Sequence, residues 1–522
     1  MRGGPPDGVG SDAVPGNPRP RAVTPLRLAD LVVRVAAESP LDAADVTITG
    51  VTHASTEVRP GDLYAALPGA RRHGAEFVAA AAEAGAVAVL TDPAGAPAAA
   101  RAGLPALVVP DPRAVLGEVA SAVYGDPTAA LTVIGITGTA GKTSTTYLIE
   151  SGLRAAGHVT GLIGTVECRL GDLTVESVRT TPEATDLHAM LAAARERGVT
   201  AVAMEVSSHA LAMGRVGGVR FAVGGYTNFG HDHLDFHADV ADYFAAKARL
   251  FDGRCAAEVL NHDDPALRPL VKPGTTTYSA DGAPDATWRA GEVSESGYTQ
   301  TFTAFGPGGS RVPAGVALPG RHNVANALLA IATLVAAGVA PTVAADGVAA
   351  CPGVPGRLEL VDAPGPVRGV VDFAHTPDAV VAALTALRNL TTSGNRLICV
   401  IGSGGDRDHG KRSLMGAAAA NGADLVVVTD DNPRTEDPAV IRAEVRRGAE
   451  QTGTSAGILE VAGRRAAIDE AVRLAEPGDV VAVLGKGHER GQEIAGRTYP
   501  FDDRVELAAA LAVRFENSEV RR

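Results

Sequence analysis

The stretch Thr132–Thr146, TVIGITGTAGKTSTT, constrains this chain more than any other. The β-branched run Val133-Ile134-Gly135-Ile136 reads as a buried strand. It runs into Gly138-Thr139-Ala140-Gly141-Lys142-Thr143-Ser144, and the spacing predicts a helix over Tyr147–Ala156. In this setting backbone N–H groups curl round phosphate oxygens and a helix N-terminus adds positive potential. Lys142 would reach the β- and γ-phosphates, and the Thr143 hydroxyl would ligate Mg²⁺. The usual P-loop spacing is not met, because two residues separate Gly138 from Gly141-Lys142 where four are normal. What stands is a compact G-x-x-G-K-T loop, whose bland alternative is a glycine turn before a structural helix.

At 522 residues the chain is too long for one core, and about three domains are expected. Residues 1–25, rich in Gly, Pro and Arg, read as a disordered tail. Residues 26–130 read as a small α/β domain, 131–351 as a larger α/β domain opened by the glycine loop, and 352–522 as a third α/β unit. The strands Ala201–Met204, Val219–Gly224 and Ala257–Leu260 alternate with helices, the pattern of a parallel sheet. Cys351–Arg357, CPGVPGR, reads as a linker. In the last unit each apolar strand ends in a polar cluster, and ligands bind beyond the carboxyl ends of such strands. The formal charge of −13 argues against bulk binding of nucleic acid or an anionic membrane. Four scattered cysteines without a C-x-x-C argue against disulfides or zinc and suit a reducing cytoplasm. No apolar run reaches membrane-spanning length, and no signal-peptide core is present.

Several clusters carry candidate chemistry. Glu205, after Ala201–Met204, reads either as a second Mg²⁺ ligand near the loop or as a capping acid. His231-Asp232-His233-Leu234-Asp235-Phe236-His237 packs three histidines and two aspartates into seven residues, a density that suggests a metal or phosphate site. Lys247 alone reads as a surface lysine. Thr180-Thr181-Pro182-Glu183 reads as a helix start or as an anion contact. Asp406-Arg407, Lys411-Arg412 and Arg434 place cations after strands, and arginine suits carboxylate recognition.

These strings, with TTPEAT, EVSSHAL, TNFGHDHLDFH, GRHNVANALLA, GVPGRLE, VDFAHTPDA, GSGGDRDHGKR, TDDNPRTED and GKGHE in that order, resemble the Mur ligase family. Within it they resemble the branch that adds the third residue to UDP-N-acetylmuramoyl-L-alanyl-D-glutamate. The resemblance covers nearly everything beyond the tail. It implies an N-terminal UDP-binding domain, a central P-loop ATPase domain and a C-terminal Rossmann-like domain that brings the amino acid. It implies ATP as co-substrate, Mg²⁺ as cofactor, an acyl-phosphate intermediate, and a cytoplasmic monomer in peptidoglycan precursor synthesis that inserts into no membrane and binds no nucleic acid.

Carried over by residue, the resemblance assigns Gly138, Thr139, Gly141, Lys142, Thr143 and Ser144 to the phosphates. Asn323 and Asn326 fall on the adenine side, and Arg357, Asp372 and His375 close over the nucleotide. Thr143, Glu205 and His233 become metal ligands, joined by Lys247 carbamylated to N6-carboxylysine, which turns a cation into a carboxylate. Ser55, Thr180, Thr181, Ser207 and Arg215 hold the UDP-linked substrate. Arg407, Asp431, Asn432, Arg434, Gly485 and Glu489 hold the incoming amino acid. The Asp431–Arg434 string implies meso-diaminopimelate, whose distal carboxylate Arg434 and Arg407 would pair. A buried, unpaired Arg434 would penalise lysine by several kcal/mol. Ala140, Ser144 and His231 depart from the common pattern. So does Ala54-Ser55-Thr56, where Asp-Ser-Arg is usual and the arginine contact is missing. A folylpolyglutamate-type ligase and a non-catalytic scaffold are the alternatives, disfavoured by the Asp-Asn-Pro-Arg and Gly-Lys-Gly-His-Glu strings and by the presence of Lys142, Glu205 and Lys247.

Overall fold

The structure is a computed structural model that describes residues 18–39, 45–391 and 394–519. Three mainly parallel sheets follow one another along the chain. The first orders Gly50–Thr52, Asp62–Ala65, Ala88–Thr91 and Ala106–Val108. Its helix Pro112–Val123 starts where Asp111 accepts hydrogen bonds from the Arg113 and Ala114 amides. The helix meets the second unit so closely that a Cβ on Gly117 would lie 2.4 Å from the Gly217 carbonyl oxygen.

In the second sheet Thr132–Thr137 lies centrally, paired in parallel with Ala201–Glu205 on one side and Phe221–Tyr226 on the other. Both faces are buried: Ile134 and Ile136 pack under the helices Lys142–Ala155 and Arg321–Ala336, and Val133 packs with Leu187 and Met190 of Ala184–Glu196. Continuous β-branched strands suit such two-sided burial. The helix begins at Lys142, ahead of the expected Tyr147, because its first turn buries the polar Thr143, Ser144, Thr145 and Thr146. An apolar period cannot register those residues. Sequence reading also passed over an antiparallel extension, Trp288–Ser296, Thr299–Phe305 and Arg311–Val316. Thr299–Phe305 does alternate, with Gln300, Phe302 and Ala304 buried.

The third sheet orders Arg368–Asp372, Val480–Leu484, Leu397–Ile401, Leu425–Val428 and Gly457–Glu460 in parallel, with Glu359–Leu360 antiparallel at one edge. Val480–Leu484, last in sequence, inserts between the first two. The polar strings after Asp372, Ile401, Val428 and Leu484 therefore share one carboxyl edge, as expected. Of the expected tail, residues 1–17 lie outside the described residues, whereas 18–25 are seated and not disordered. Arg19 pairs with Asp62 at 2.7 Å, and Glu196 accepts from the Arg21 and Ala22 amides at 2.8 and 2.9 Å. Asp62 is 2% exposed and needs a cation, which Arg19 supplies. Among the described residues no helix is long and apolar enough to cross a membrane.

Candidate active site

The glycine loop is held open by its neighbours. Gly138 (φ 146°) and Gly141 (φ 83°) adopt backbone angles that side chains disfavour. A Cβ at Gly138 would sit 1.8 Å from Thr227 Oγ1, and one at Gly141 2.5 Å from Asn326 Oδ1. Asn228 braces the loop, its carbonyl accepting from the Thr139 amide at 2.8 Å and its Oδ1 from the Ala140 amide at 3.0 Å. Lys142 Nζ donates to the Gly138 and Thr139 carbonyls at 2.9 and 3.0 Å. Lys247 Nζ donates to the same Gly138 carbonyl at 2.7 Å and lies 4.6 Å from the Tyr243 ring centroid. Lys247 is 1% exposed, so it is no surface lysine. Burial, then the charge of Lys142, lowers its pKa well below the ordinary lysine value.

Glu205 ends the strand beside the loop and is fully buried. It accepts from Thr143 Oγ1 at 3.1 Å, the Thr165 amide at 2.7 Å and Thr165 Oγ1 at 3.0 Å. It is not a helix cap; Ser207 caps Ser208–Ala212 by accepting from the Ala210 amide. Thr143 also receives a hydrogen bond from Arg357 Nη2 at 3.0 Å. Arg357 belongs to the chain entering the third sheet, and its guanidinium covers the Phe373 ring at 4.6 Å. Asp372, expected over the nucleotide, is committed to backbone instead: its carboxylate accepts from the Leu358 and Ala374 amides at 2.7 and 2.8 Å. It fixes the turn that carries Arg357. His375 Nδ1 lies 2.8 Å from the Phe373 carbonyl. Across the loop Asn326 donates to Asn323 Oδ1 at 3.0 Å and accepts from Thr145 Oγ1 at 3.4 Å.

The histidine-rich loop does not assemble as its density suggested. His209 stacks on Phe236, and the His209–His233, His233–Tyr243 and Phe236–His237 pairs meet edge-on, with His209 and His233 centroids 4.7 Å apart. His231 is exposed, and His237 pairs with Asp242. Among the described residues no group of three or more His, Cys, Asp or Glu is disposed to hold a metal ion. His233 adopts a left-handed backbone (φ 55°), lies 3.4 Å from Asp232, and is pushed by burial down to a pKa of about 4. Its imidazole is neutral at pH 7, the form that can ligate.

On the side facing the first domain, Thr180 accepts from Thr165 Oγ1 at 3.1 Å, and Arg215 pairs with Glu183 at 2.9 Å. Thr181, expected to touch an anionic substrate, is fully buried. Its hydroxyl donates to the Glu205 carbonyl at 2.9 Å and accepts from the Ser207 amide at 3.1 Å. It ties Glu205 to Ser207 and offers no surface. Ser55 lies half-buried in a 3₁₀ turn of the first domain.

Arg434, Asn432, His488 and Glu489 line a cavity of about 840 Å³ whose other wall is Thr165–Glu167 and Thr174–Ser177 of the second domain. Such a volume suits a small-molecule site. Arg434 is not the buried, unpaired guanidinium expected, because Glu493 lies 3.2 Å from its Nε and the Gly405 carbonyl accepts from Nη1 at 2.6 Å. Its pairing reduces the penalty that a ligand without a carboxylate would meet. Arg407 is exposed on the adjoining pocket with Lys411 and Asp431. Gly485 (φ 119°) leaves room for Asp431, whose Oδ2 would sit 2.5 Å from a Cβ. Lys486 and Arg464 escaped sequence reading. Lys486, fully buried, donates to Asn432 Oδ1 at 2.9 Å and Glu489 Oε2 at 2.8 Å. The Gly-Lys-Gly-His-Glu string contained the signal for the Glu489 contact, three residues on, but not for Asn432.

A phosphate loop on one domain, docked against a charged cavity on the next, is the layout of an enzyme that activates an acid with ATP and passes it to a second substrate. Residues 47–124, 136–334 and 356–487 match the Mur ligase catalytic, middle and glutamate ligase domains in turn. The chain belongs to the Mur ligase family. It is 55% identical, over 95% of its length and 98% of the relative's, to the UDP-N-acetylmuramoyl-L-alanyl-D-glutamate–2,6-diaminopimelate ligase of Streptomyces coelicolor. It is 44% identical, over 95% and 98%, to a UDP-N-acetylmuramyl-tripeptide synthetase of Leifsonia xyli. A solved UDP-N-acetylmuramoyl-L-alanyl-D-glutamate–2,6-diaminopimelate ligase superposes with a TM-score of 0.64 at 32% identity, covering 90% of this chain and 96% of that one.

Proposed function

We propose that the chain joins meso-2,6-diaminopimelate to the D-glutamate γ-carboxylate of UDP-N-acetylmuramoyl-L-alanyl-D-glutamate, cleaving ATP to ADP and phosphate. It does so as a cytoplasmic monomer supplying peptidoglycan precursor. The observation that carries the reading is the bond from Arg357 to Thr143, which docks the domain bearing Arg434 over the nucleotide cradle.

A carboxylate resists amines until one oxygen becomes a leaving group. The γ-carboxylate oxygen attacks the terminal phosphorus of ATP, the bond to ADP breaks, and an acyl phosphate forms. The amine of diaminopimelate, having lost its ammonium proton, attacks the acyl carbon. The tetrahedral adduct collapses to the amide, and phosphate departs with the former carboxylate oxygen. Gly138, Thr139, Gly141 and Ser144 line the phosphates, and Lys142 turns from its loop carbonyls to their oxygens. Asn323 and Asn326 flank the adenine; Arg357 and His375 cover the nucleotide. Thr143 and Glu205 offer hard oxygen donors that fit Mg²⁺, which takes few protein ligands beside phosphate and water. His233 and Lys247 would hold a second such ion. Bound there, Mg²⁺ supplies the charge neutralisation that lets two anions meet. The lowered pKa of Lys247 supports carbamylation, since the neutral amine is the form that bonds to CO₂, losing one proton as N6-carboxylysine forms. Ser55, Thr180, Ser207 and Arg215 face the UDP-linked substrate, with Thr181 bracing Ser207 and Arg215. Arg407, Asp431, Asn432, Arg434, Gly485 and Glu489 surround the incoming amino acid.

The test is phosphate release with the UDP-dipeptide and either meso-diaminopimelate or L-lysine. Release with diaminopimelate alone is expected. Equal release with lysine would overturn the specificity, and none with either would overturn the reaction.

A further inference from the structure

The distal end of diaminopimelate is an α-amino acid head group, with a carboxylate and an ammonium on one carbon. Arg434 answers the carboxylate. Glu489, which the resemblance places among the residues that hold the incoming amino acid, has its Oε2 engaged by Lys486 Nζ at 2.8 Å and Asn432 Nδ2 at 2.9 Å. Its charge is largely compensated by the buried Lys486 ammonium.

Glu493 stands beside Arg434 in the same cavity, with its side chain 41% exposed. Its position is set by backbone on both flanks. The Arg434 amide donates to the Glu493 carbonyl at 3.0 Å, the Glu493 amide donates to Asn432 Oδ1 at 3.0 Å, and Gln492 Nε2 donates to the Asp431 carbonyl at 2.6 Å. The strand Gly491–Ile494 is thus stitched residue by residue along the Asp431–Arg434 string. Glu493 engages the Nε edge of Arg434, and Nη1 engages the Gly405 carbonyl. The Nη2 group has no hydrogen-bond partner among the described residues and is left for a ligand carboxylate. Of the other acids on the wall, Glu167 pairs with Arg169 and accepts from Tyr147, while Glu176 lies on the opposite domain, away from Arg434.

We infer that Glu493 reads the distal ammonium of diaminopimelate, so that Arg434 and Glu493 together form a receptor for a zwitterionic head group. The inference rests on the reaction proposed above. A guanidinium beside a carboxylate is the charge complement of a carboxylate beside an ammonium. Lysine brings only the ammonium, which would reach Glu493 by facing Arg434 with no carboxylate to answer it.

The experiment compares meso-diaminopimelate with 2-aminopimelate, the same chain without the distal amine, in wild type, Glu493→Gln and Glu493→Asp. Wild type is expected to favour diaminopimelate in kcat/KM by about tenfold, a typical value for one charged hydrogen bond. Glu493→Gln should raise KM for diaminopimelate by about that factor, leave kcat and KM for ATP within about twofold, and erase the preference. Glu493→Asp should restore part of it, which excludes a general folding defect. A preference that survives in Glu493→Gln, including a parallel rise in both KM values, would overturn the inference by reducing Glu493 to a prop for Arg434. Failure of the wild type to use diaminopimelate at all would instead overturn the reaction itself.

Discussion

Asp503→Ala isolates the ion pair that holds the amino-acid side of the site in place. Arg464 and Asp503 are both fully buried and joined twice, Nε to Oδ1 and Nη2 to Oδ2, each at 2.7 Å. Arg464 also donates to the Leu484 carbonyl at 2.9 Å and the Asp430 carbonyl at 3.3 Å. Those carbonyls close the segments that launch Gly485–Glu489 and Asp431–Arg434. Removing Asp503 strands the guanidinium, with Asp431 3.8 Å away as partial compensation. Breaking a buried pair from one side costs about 3–5 kcal/mol, and the compensation argues for the lower end. For a domain of this size that lowers the melting temperature by about 6–12 °C. KM for diaminopimelate should rise with it. Replacing both partners by leucine should cost far less, because no buried charge is left alone. Calorimetry of the single and double variants reads this directly. A single variant melting within about 2 °C of wild type, or a double variant as unstable as the single, would refute the unpaired-charge reasoning.

Thr181→Val, which removes the hydroxyl tying Glu205 to Ser207, should cost about 1–2 kcal/mol in denaturant unfolding, in keeping with a structural brace. Stripping CO₂ from the buffer should lower wild-type phosphate release reversibly, and Lys247→Gln should be inactive with or without CO₂. Stability should fall as pH drops from about 6.5 towards 4 in melting scans. Burial pushes the pKa of His488 down to about 4, so the unfolded chain binds more protons in that window and the stabilisation present above it is lost. His488→Asn should flatten the slope.

Much of the site was legible because its residues sit in short local strings at strand ends, where a carboxyl edge gathers them whatever the strand order. Gly138 and Gly141 announce their loop by needing angles that side chains resist. What stayed hidden depends on partners far along the chain. Nothing local to Lys486 reveals Asn432, and nothing local to Arg464 reveals Asp503. Thr181 looked like a ligand contact because a buried threonine and an exposed one are spelled alike. The same limit explains Arg434: its chemistry was readable, but not the presence of Glu493 at its side. Arg19 was read with a low-complexity tail because composition cannot show the buried Asp62 that anchors it. The edge strands after Trp288 carried a legible alternation in Thr299–Phe305 that apolar content alone passed over.

The measurement that bears most directly on the reaction follows oxygen. The D-glutamate γ-carboxylate of the UDP-dipeptide is labelled with ¹⁸O, turned over with ATP and meso-diaminopimelate, and the released phosphate is weighed by mass spectrometry. One ¹⁸O per phosphate, with the UDP-tripeptide formed in equal amount, is the expected result for acyl-phosphate transfer. Unlabelled phosphate, with both labelled oxygens retained on the dipeptide, would contradict it.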